Sequence, residues 1–518
     1  MTSLDRRTFL AGSAMGAGAL ALGSAPAFAG PGTGPALVRG RLTLPSGVQT
    51  GDVTADSAVL WSRSSGPGRL VARLSSGSHV REVKGGWACE ATDFTAKIAV
   101  TGLAPGRQYD VVLQFEDQDG ALGEVGRAHF RTAAVHPAST SFVWTGDTCG
   151  QGWGINQEIG GLLGYRAMHE TNPDFFVHAG DTVYADGPIK AEVTEPDGQV
   201  WRNVVTEEVS KVAESLNEFR GRHRYTMMDD NVRAMYAEVP VLAQWDDHET
   251  TNNWYPGEIL DDARYAERRV DVLAARARQA WQEYMPIADP RAQQRGDGFA
   301  PARIYRRVPR GPQLDVFALD MRTFKDPNTP GLEQERTSIL GEEQVDWLIR
   351  EVTASRATWK VISADMPLGL VVPDGPVNQE SVSNRDPGSP LGRELEIAAV
   401  LSAFKRNRVK NVLWITADVH YCAAHHYDPA RAAFTDFDPF WEIVAGPIAA
   451  GTFGPNDLDA TFGPKVEFSK VADYPNQSPR GGNQFFGHCE ISAEGLLIVS
   501  LRDQAGAVLW RKSLEPKS

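Results

Sequence analysis

Cysteine is scarce in this 518-residue sequence, with only Cys89, Cys149, Cys422 and Cys489. Four thiols in so long a chain exclude a disulfide framework, although one bridge is possible. Positive charge is also in deficit: 52 Lys and Arg stand against 66 Asp and Glu, a net charge of −14. So acidic a surface argues against a nucleic-acid partner. It does not exclude phosphate-bearing substrates, because a bound cation reverses the sign locally. Beyond the first thirty residues no apolar run is long enough to cross a bilayer, which excludes a transmembrane anchor there. Internal repeats and low-complexity tracts are missing too, so repeat architectures are excluded. What remains, 42% hydrophobic and 23% charged, is the composition of a globular protein. Its length exceeds one ordinary core and predicts two domains.

The N-terminus reads MTSLDRRTFLAGSAMGAGALALGSAPAFAG. Arg6 and Arg7 precede an Ala/Gly-rich apolar stretch, and Ala27-Phe28-Ala29 is a small-x-small cleavage site. Residues 1–29 therefore predict a twin-arginine (Tat) signal, with the export machinery as a partner and an extracellular, periplasmic or cell-wall location. The stretch is short and glycine-rich for a membrane span. Export in the folded state suits a protein that must load a metal before leaving.

Residues 36–134 contain short alternating runs separated by turn signals, and predict an all-β sandwich of fibronectin-III type. Within it GLAPGRQY has the pattern of a tyrosine corner, with Tyr109 bonding back to the loop. The linker 134–140 follows, and from 138 to 518 apolar β runs alternate with amphipathic helical patterns, predicting a layered α/β fold. The tail from Phe486 returns to hairpins that should add strands to a sheet. The Gly/Pro-rich segment 371–392 reads as a surface loop over the site.

Chemistry collects just past the apolar runs. TGDTCGQGWG supplies Asp147, Cys149 and Trp153, and HAGDTVYADG supplies His178, Asp181 and Tyr184. QWDDHETTNNW supplies Asp246, Asp247, His248 and Glu249, while ITADVHYCAAHHYDP supplies Asp418 and His420, then Cys422, His425 and His426. In open α/β sheets ligands bind beyond the carboxyl ends of the strands. Carboxylates converging there repel unless cations lie between them. Carboxylate, imidazole, thiolate and phenolate together are the donor set of a metal centre holding more than one ion. Arg322 in LDMRTFKD ends a further strand, placed either to grip a phosphate oxygen with its fork or to form a surface salt bridge. Asp365 in SADMP is a weaker candidate. Cys422 reads as packing, and His425 and His426 as lying outside the ligand set.

In this order GDTC, GDTVY, DDHETTNNW and TADVHY resemble the PhoD-like alkaline phosphatases and phosphodiesterases, with the related iron-dependent bacterial phospholipase D. The resemblance spans essentially the whole chain after the signal. It implies an α/β (α+β) four-layer metallophosphoesterase sandwich behind the N-terminal fibronectin-III-like β-sandwich. It also implies an Fe3+–Ca2+ centre, with Mg2+ or Mn2+ as substitutes. Carried over by motif, Cys149, Asp181, Tyr184 and Asp418 are ferric ligands, and Asp181 bridges to the second ion. Asp147, Asp247 and His420 lie on the calcium side or near it. Alternatively Asp147 fills the cysteine's place and Cys149 lies two residues out. His248 faces the phosphate, and Asn252 or Asn253 contacts phosphate or metal. The implied reaction is hydrolysis of phosphate mono- and diesters by metal-bound hydroxide, with His248 or His420 as the catalytic proton donor. Phospholipid head groups are the alternative substrate, for which the apolar segments 367–372 and 446–454 could line the mouth. A serine nucleophile at a helix start is missing. A non-catalytic carbohydrate-binding protein is compatible with the sandwich alone, not with the ligand set.

Overall fold

In the computed structural model residues 40–287 and 303–517 are described, and the signal segment 1–29 lies outside them. The runs TSFVWT, FFVHA and VLAQ are apolar on both faces of the pleat, the mark of strands covered on both sides. They form Thr140–Thr145, Phe175–Ala179 and Val241–Gln244, which are parallel neighbours. Phe485–Ile491, Leu497–Asp503 and Val508–Leu514 extend this sheet antiparallel on one side, as the hairpin pattern of the tail predicts. A second sheet of seven strands has four parallel strands at its centre, Leu314–Ala318, Trp359–Ser363, Val412–Thr416 and Phe440–Val444.

Alternation along each strand sorts the core. Phe142, Trp144, Val177 and Leu242 of the first sheet are buried together with Val316, Val361, Leu413 and Ile443 of the second. Their alternates Val143, Phe176 and Ala243 are buried with side chains of the helices Leu163–Glu170, Asp230–Glu238 and Val270–Tyr284. On the second sheet Phe317, Ile362 and Trp414 pack with Glu342–Ala354 and Glu394–Arg406. With the two sheets stacked this way, the carboxyl ends of both sets of parallel strands carry the turns that hold the candidate residues.

The N-terminal segment forms a four-stranded sheet, His79–Ala88, Gly68–Ser76, Gln108–Glu116 and Gly126–Arg131, whose Leu70, Leu113 and Phe115 pack against Leu60 and Ile98. The Tyr109 hydroxyl accepts from the Ala104 N–H at 2.8 Å, the bond of a tyrosine corner. The strands opposite, Val48–Gly51, Ser57–Arg63 and Thr95–Thr101, are not a closed face of their own. Val48–Gly51 pairs in parallel with Val241–Gln244, so the first sheet runs on to nine strands across both segments. Without that pairing Val241–Gln244 would be an open edge with unsatisfied backbone groups.

The segment 371–392 departs from a plain surface loop. Pro373–Asp374 and Asn378–Gln379 form a small hairpin with an exposed tip at Val377, after which Gln379–Asn384 are buried. Burial follows from Glu380, which meets Arg322 inside the protein. Among the described residues no helix is long and apolar enough to cross a membrane.

Candidate metal centre

The turns beyond the strands are tight. Asp147, Cys149, Asp181, Asp418 and His420 all hold left-handed backbone, with φ of 66°, 61°, 51°, 68° and 58°. Each non-glycine residue in that region costs of order 1–3 kcal/mol, and such strain gathers where surrounding structure fixes a functional geometry. The approach is close enough that a Cβ at Gly446 would collide with the Asp147 carboxylate.

Three groups of donor atoms result, each within 4.8 Å: Asp147, Asp181 and His420; Asp181, Asp247 and His248; Asp246, Asp247 and Asp418. Asp181 and Asp247 each belong to two groups, so the three overlap in a chain. Both Asp147 oxygens, Asp181 Oδ2, Asp247 Oδ1 and Asp418 Oδ2 are buried without a hydrogen-bond partner. Burial pushes the Asp147, Asp181 and Asp418 carboxyls well above the ordinary carboxylate range, and the charges of Asp246 and Asp247 push them further. Buried, orphaned carboxylates are costly alone and are what hard cations require. The residues present therefore fit a polynuclear metal site.

Side chains around the carboxylates are locked. His420 Nδ1 donates to the Gly451 carbonyl at 2.5 Å, which leaves Nε2 as the acceptor facing the Tyr184 hydroxyl at 2.7 Å and Asp147 Oδ1 at 3.7 Å. Burial holds this imidazole neutral, with its pKa lowered to about 4. Burial, then Asp181 and Asp147, push the Tyr184 phenol well above its usual value, so phenolate there demands a strong Lewis acid. The His248 ring stacks on Tyr184 with centroids 4.1 Å apart, and its Nδ1 meets Asp186 Oδ1 at 2.8 Å. Burial alone would discharge His248, but Asp186 and Asp247 hold its pKa up at about 10. Asn252 is exposed, and its backbone N–H donates to Asp186 Oδ2 at 2.9 Å. The Asn253 backbone donates to Asp247 Oδ2 at 2.5 Å, and its amide donates to Asp374 Oδ1 of the hairpin at 3.1 Å.

For two sequence candidates the geometry differs from the first reading, and for the first of them it agrees with the alternative in which Cys149 lies two residues out. Cys149 joins none of the donor groups: its side chain lies in the apolar cluster with Ile155, Tyr165 and Tyr225, and burial pushes the thiol pKa up. Asp147 stands at the centre instead, because the left-handed turn after it carries residue 149 away. Arg322 lies neither at the mouth nor on the surface. It is fully buried, with Nε 2.5 Å from Asp246 Oδ1 and 3.3 Å from Asp365 Oδ2, and Nη1 on Glu380. Its Nη2 lies 3.9 Å from Asp247 and 3.8 Å from Asp418. It is a fixed countercharge inside the acidic cluster.

The remaining sequence candidates lie elsewhere. His178 Nε2 meets Thr148 Oγ1 at 3.1 Å, His425 pairs with Glu442 at 3.0 Å, and the His426 ring lies tilted against Trp441 with centroids 4.8 Å apart. Trp153 donates to Asn476 at 2.9 Å, and Cys422 packs between the sheets. The sequence motifs give no role to Asp186, Glu249, Glu380 or Lys325. Glu249 ties two turns together, accepting from Thr182 N–H at 2.5 Å and Asp246 N–H at 2.7 Å. Asp186 was findable two residues after Tyr184 in HAGDTVYADG. Glu380 carried no signal, since it meets Arg322 and Lys325 only through the fold.

Known proteins share the fold. Residues 142–505 match the family model for PhoD-like phosphatase, and residues 32–134 that for the PhoD-like phosphatase N-terminal domain. The chain is 26% identical over 436 residues to alkaline phosphatase D of Bacillus subtilis (strain 168), covering 79% of this chain and 70% of the relative. The solved structure of PhoD superposes with a TM-score of 0.68 at 20% identity, over 94% of each chain. Purple acid phosphatase PPD1 from yellow lupin (Lupinus luteus) seeds shares the fold, with a TM-score of 0.53 at 11% identity over 90% of this chain and 73% of that one. Two sheets whose strand ends converge on orphaned carboxylates, matched by the family over most of its length, make this chain a member of the PhoD-like phosphatase family, a hydrolase of phosphoester bonds.

Proposed function

We propose that the protein is an exported phosphatase and phosphodiesterase working through an iron–calcium centre held by the three overlapping groups. The observation that carries this is the sharing of Asp181 and Asp247 between groups whose oxygens are otherwise orphaned. Asp147, Asp181, His420 and Tyr184 would hold Fe3+, the phenolate being suited to a ferric ion. Asp181, Asp247 and Asp418 would hold Ca2+, with Mg2+ or Mn2+ as substitutes. The surrounding architecture is read as a four-layer α/β/β/α sandwich with a fibronectin-III-like face at its N-terminal end.

Bound cations in such a site lower the pKa of water and neutralise phosphoryl charge. The protein's own groups do the rest. His248 has Nδ1 committed to Asp186 and a raised pKa, so Nε2 carries a proton that can pass to the leaving alcohol. His420, bonded at Nδ1 and facing Tyr184 with Nε2, serves as a ligand rather than a donor. Asn253 holds Asp247 through its backbone, and its amide and that of Asn252 are the candidate phosphate contacts. Arg322 reaches phosphate only through the carboxylates it positions. Residues 1–29 direct export by the twin-arginine route. Phospholipid head groups are the less favoured substrate, since the family and the curated relative are both phosphatases.

Elemental analysis with a visible spectrum tests the centre: iron with a ferric–tyrosinate band is expected, and hydrolysis of p-nitrophenyl phosphate and its bis-ester should fail in EGTA. Choline release from phosphatidylcholine should be minor. A colourless, iron-free preparation of full activity would sink the reading.

A further inference from the structure

At the opposite end of the same strands lies a cavity of about 370 Å³ that the metal centre does not use. Its walls are the linker 133–140, the turn Pro105–Arg107, Arg131 at the end of a strand, and the loop Arg310–Gln313. These residues flank the starts of Thr140–Thr145, Phe175–Ala179 and Leu314–Ala318, whereas Asp147, Asp181 and Asp320 lie past their ends. Gly311 sits at φ 93°, and a Cβ there would strike the Ala134 carbonyl, so the loop and linker are held in close contact.

The lining is basic in an acidic protein. Arg107, Arg131, Arg310 and His136 line it, with Asp174 as its single acid. Asp174 accepts from the Ser141 N–H at 3.0 Å and its charge acts on Arg310, so one carboxylate stands against three guanidinium groups. Arg107 and Arg131 leave the same end of one sheet, since residue 108 pairs with Arg131. Among the described residues neither guanidinium has a salt-bridge partner. Arg310 is 6% exposed, its Nη1 donates to the Val53 carbonyl at 2.6 Å, and its guanidinium lies 4.7 Å over the Phe175 ring. Its Nε is buried with no partner. Like charges gathered around a void, one of them desolvated, call for an anion between them. Guanidinium forks match oxyanions bidentately, and a tetrahedral oxyanion has enough oxygens for several forks, whereas one carboxylate satisfies one.

We propose that this cavity is a second site, separate from the metal centre, binding the phosphate group of free phosphate or of a phosphate polymer. It selects for charge and tetrahedral shape and takes no part in hydrolysis.

The test is titration calorimetry of inorganic phosphate, and separately of tripolyphosphate, into the full chain carrying D247N and D418N, which disable the centre. One phosphate per chain should bind, weakening as NaCl is raised. Adding R107Q and R131Q, both exposed and unpaired, should weaken it at least tenfold. R107Q/R131Q in the otherwise unaltered chain should leave kcat for p-nitrophenyl phosphate within twofold. If the centre-defective chain melts early, the loss is read on the unaltered chain as a fall from two phosphates bound to one. Tighter tripolyphosphate than phosphate assigns the site to a polymer, and the reverse order assigns it to the free ion. Binding of neither anion, or binding indifferent to R107Q/R131Q, overturns the proposal. The centre's own reading is untouched by that result, because it is judged by metal content and hydrolysis.

Discussion

Asp147 and Cys149 stand two positions apart, and the left-handed turn sends one carboxylate into the centre and one thiol into the helical core. Elemental analysis separates them. Asp147→Asn should lose bound metal and drop hydrolysis by more than the 10–100-fold typical of groups that only support a ligand. Cys149→Ala should keep full metal content and lose about 1 kcal/mol of stability as a trimmed core residue. If C149A instead lost iron, the placement of the thiol would be wrong. Asp186 acts through His248, so Asp186→Asn should lower kcat about 10–100-fold with KM little changed. The alkaline limb of the pH–rate profile should move to lower pH, because the carboxylate that holds the imidazolium is gone. An unmoved limb would leave Asp186 as packing alone.

Among elements, the hairpin Pro373–Gln379 is joined to the centre at both ends of its reach: Asp374 meets Asn253, and the following Glu380 meets Arg322 and Lys325. Arg322 is the shared cation. Arg322→Met would leave Asp246, Asp365 and Glu380 buried together without it, and should cost about 3–5 kcal/mol in denaturant unfolding of the chelated protein. Added metal should recover part of that loss, since cations replace the missing charge. The nine-stranded sheet makes a second demand at this scale. A fragment starting at residue 138 loses Val48–Gly51, Ser57–Arg63 and Thr95–Thr101 and bares Val241–Gln244. Gel filtration should find it aggregated rather than monomeric and active, because an unpaired edge templates association.

For the whole molecule, the balance of buried charge sets how stability follows pH. Asp147, Asp181 and Asp418 are raised well above their unfolded values, Glu249 is raised to about 7 and His248 to about 10. Each binds more protons folded than unfolded, so its contribution is complete at low pH and is lost as pH rises. Buried His178, His223 and His420, lowered to about 3, 3 and 4, act oppositely but only below their unfolded value of about 6.5. Buried Lys97 and Lys325, lowered to about 7 and about 8, also act oppositely, gaining stability as pH rises from those values toward about 10.5. They do so with or without metal, so from pH 7 to pH 9 EDTA-treated protein should lose more melting temperature than metal-loaded protein, whose carboxylates are ionised at both values. An equal change from pH 7 to pH 9 in the two forms would contradict the acidic cluster. The strand runs, the turn chemistry at Tyr109 and the Asp and His past each strand were legible in the chain, because period-two burial and strand-end ligands are local patterns. Four short motifs in order were enough to place the chain in its family. Which of two side chains in such a turn reaches the centre depends on what packs around it, so the motif leaves Asp147 and Cys149 as alternatives for one place. Arg322 with Glu380, the sheet shared across residues 134–140, and the arginines around the cavity at the strand starts come together only when distant segments pack. Sequence alone thus set which donors exist and at which strand ends, through periodicity and motif. Only tertiary packing decided which of them share a cation and which neutralise one another, because pairing energies between buried charges depend on distances that chain order does not encode.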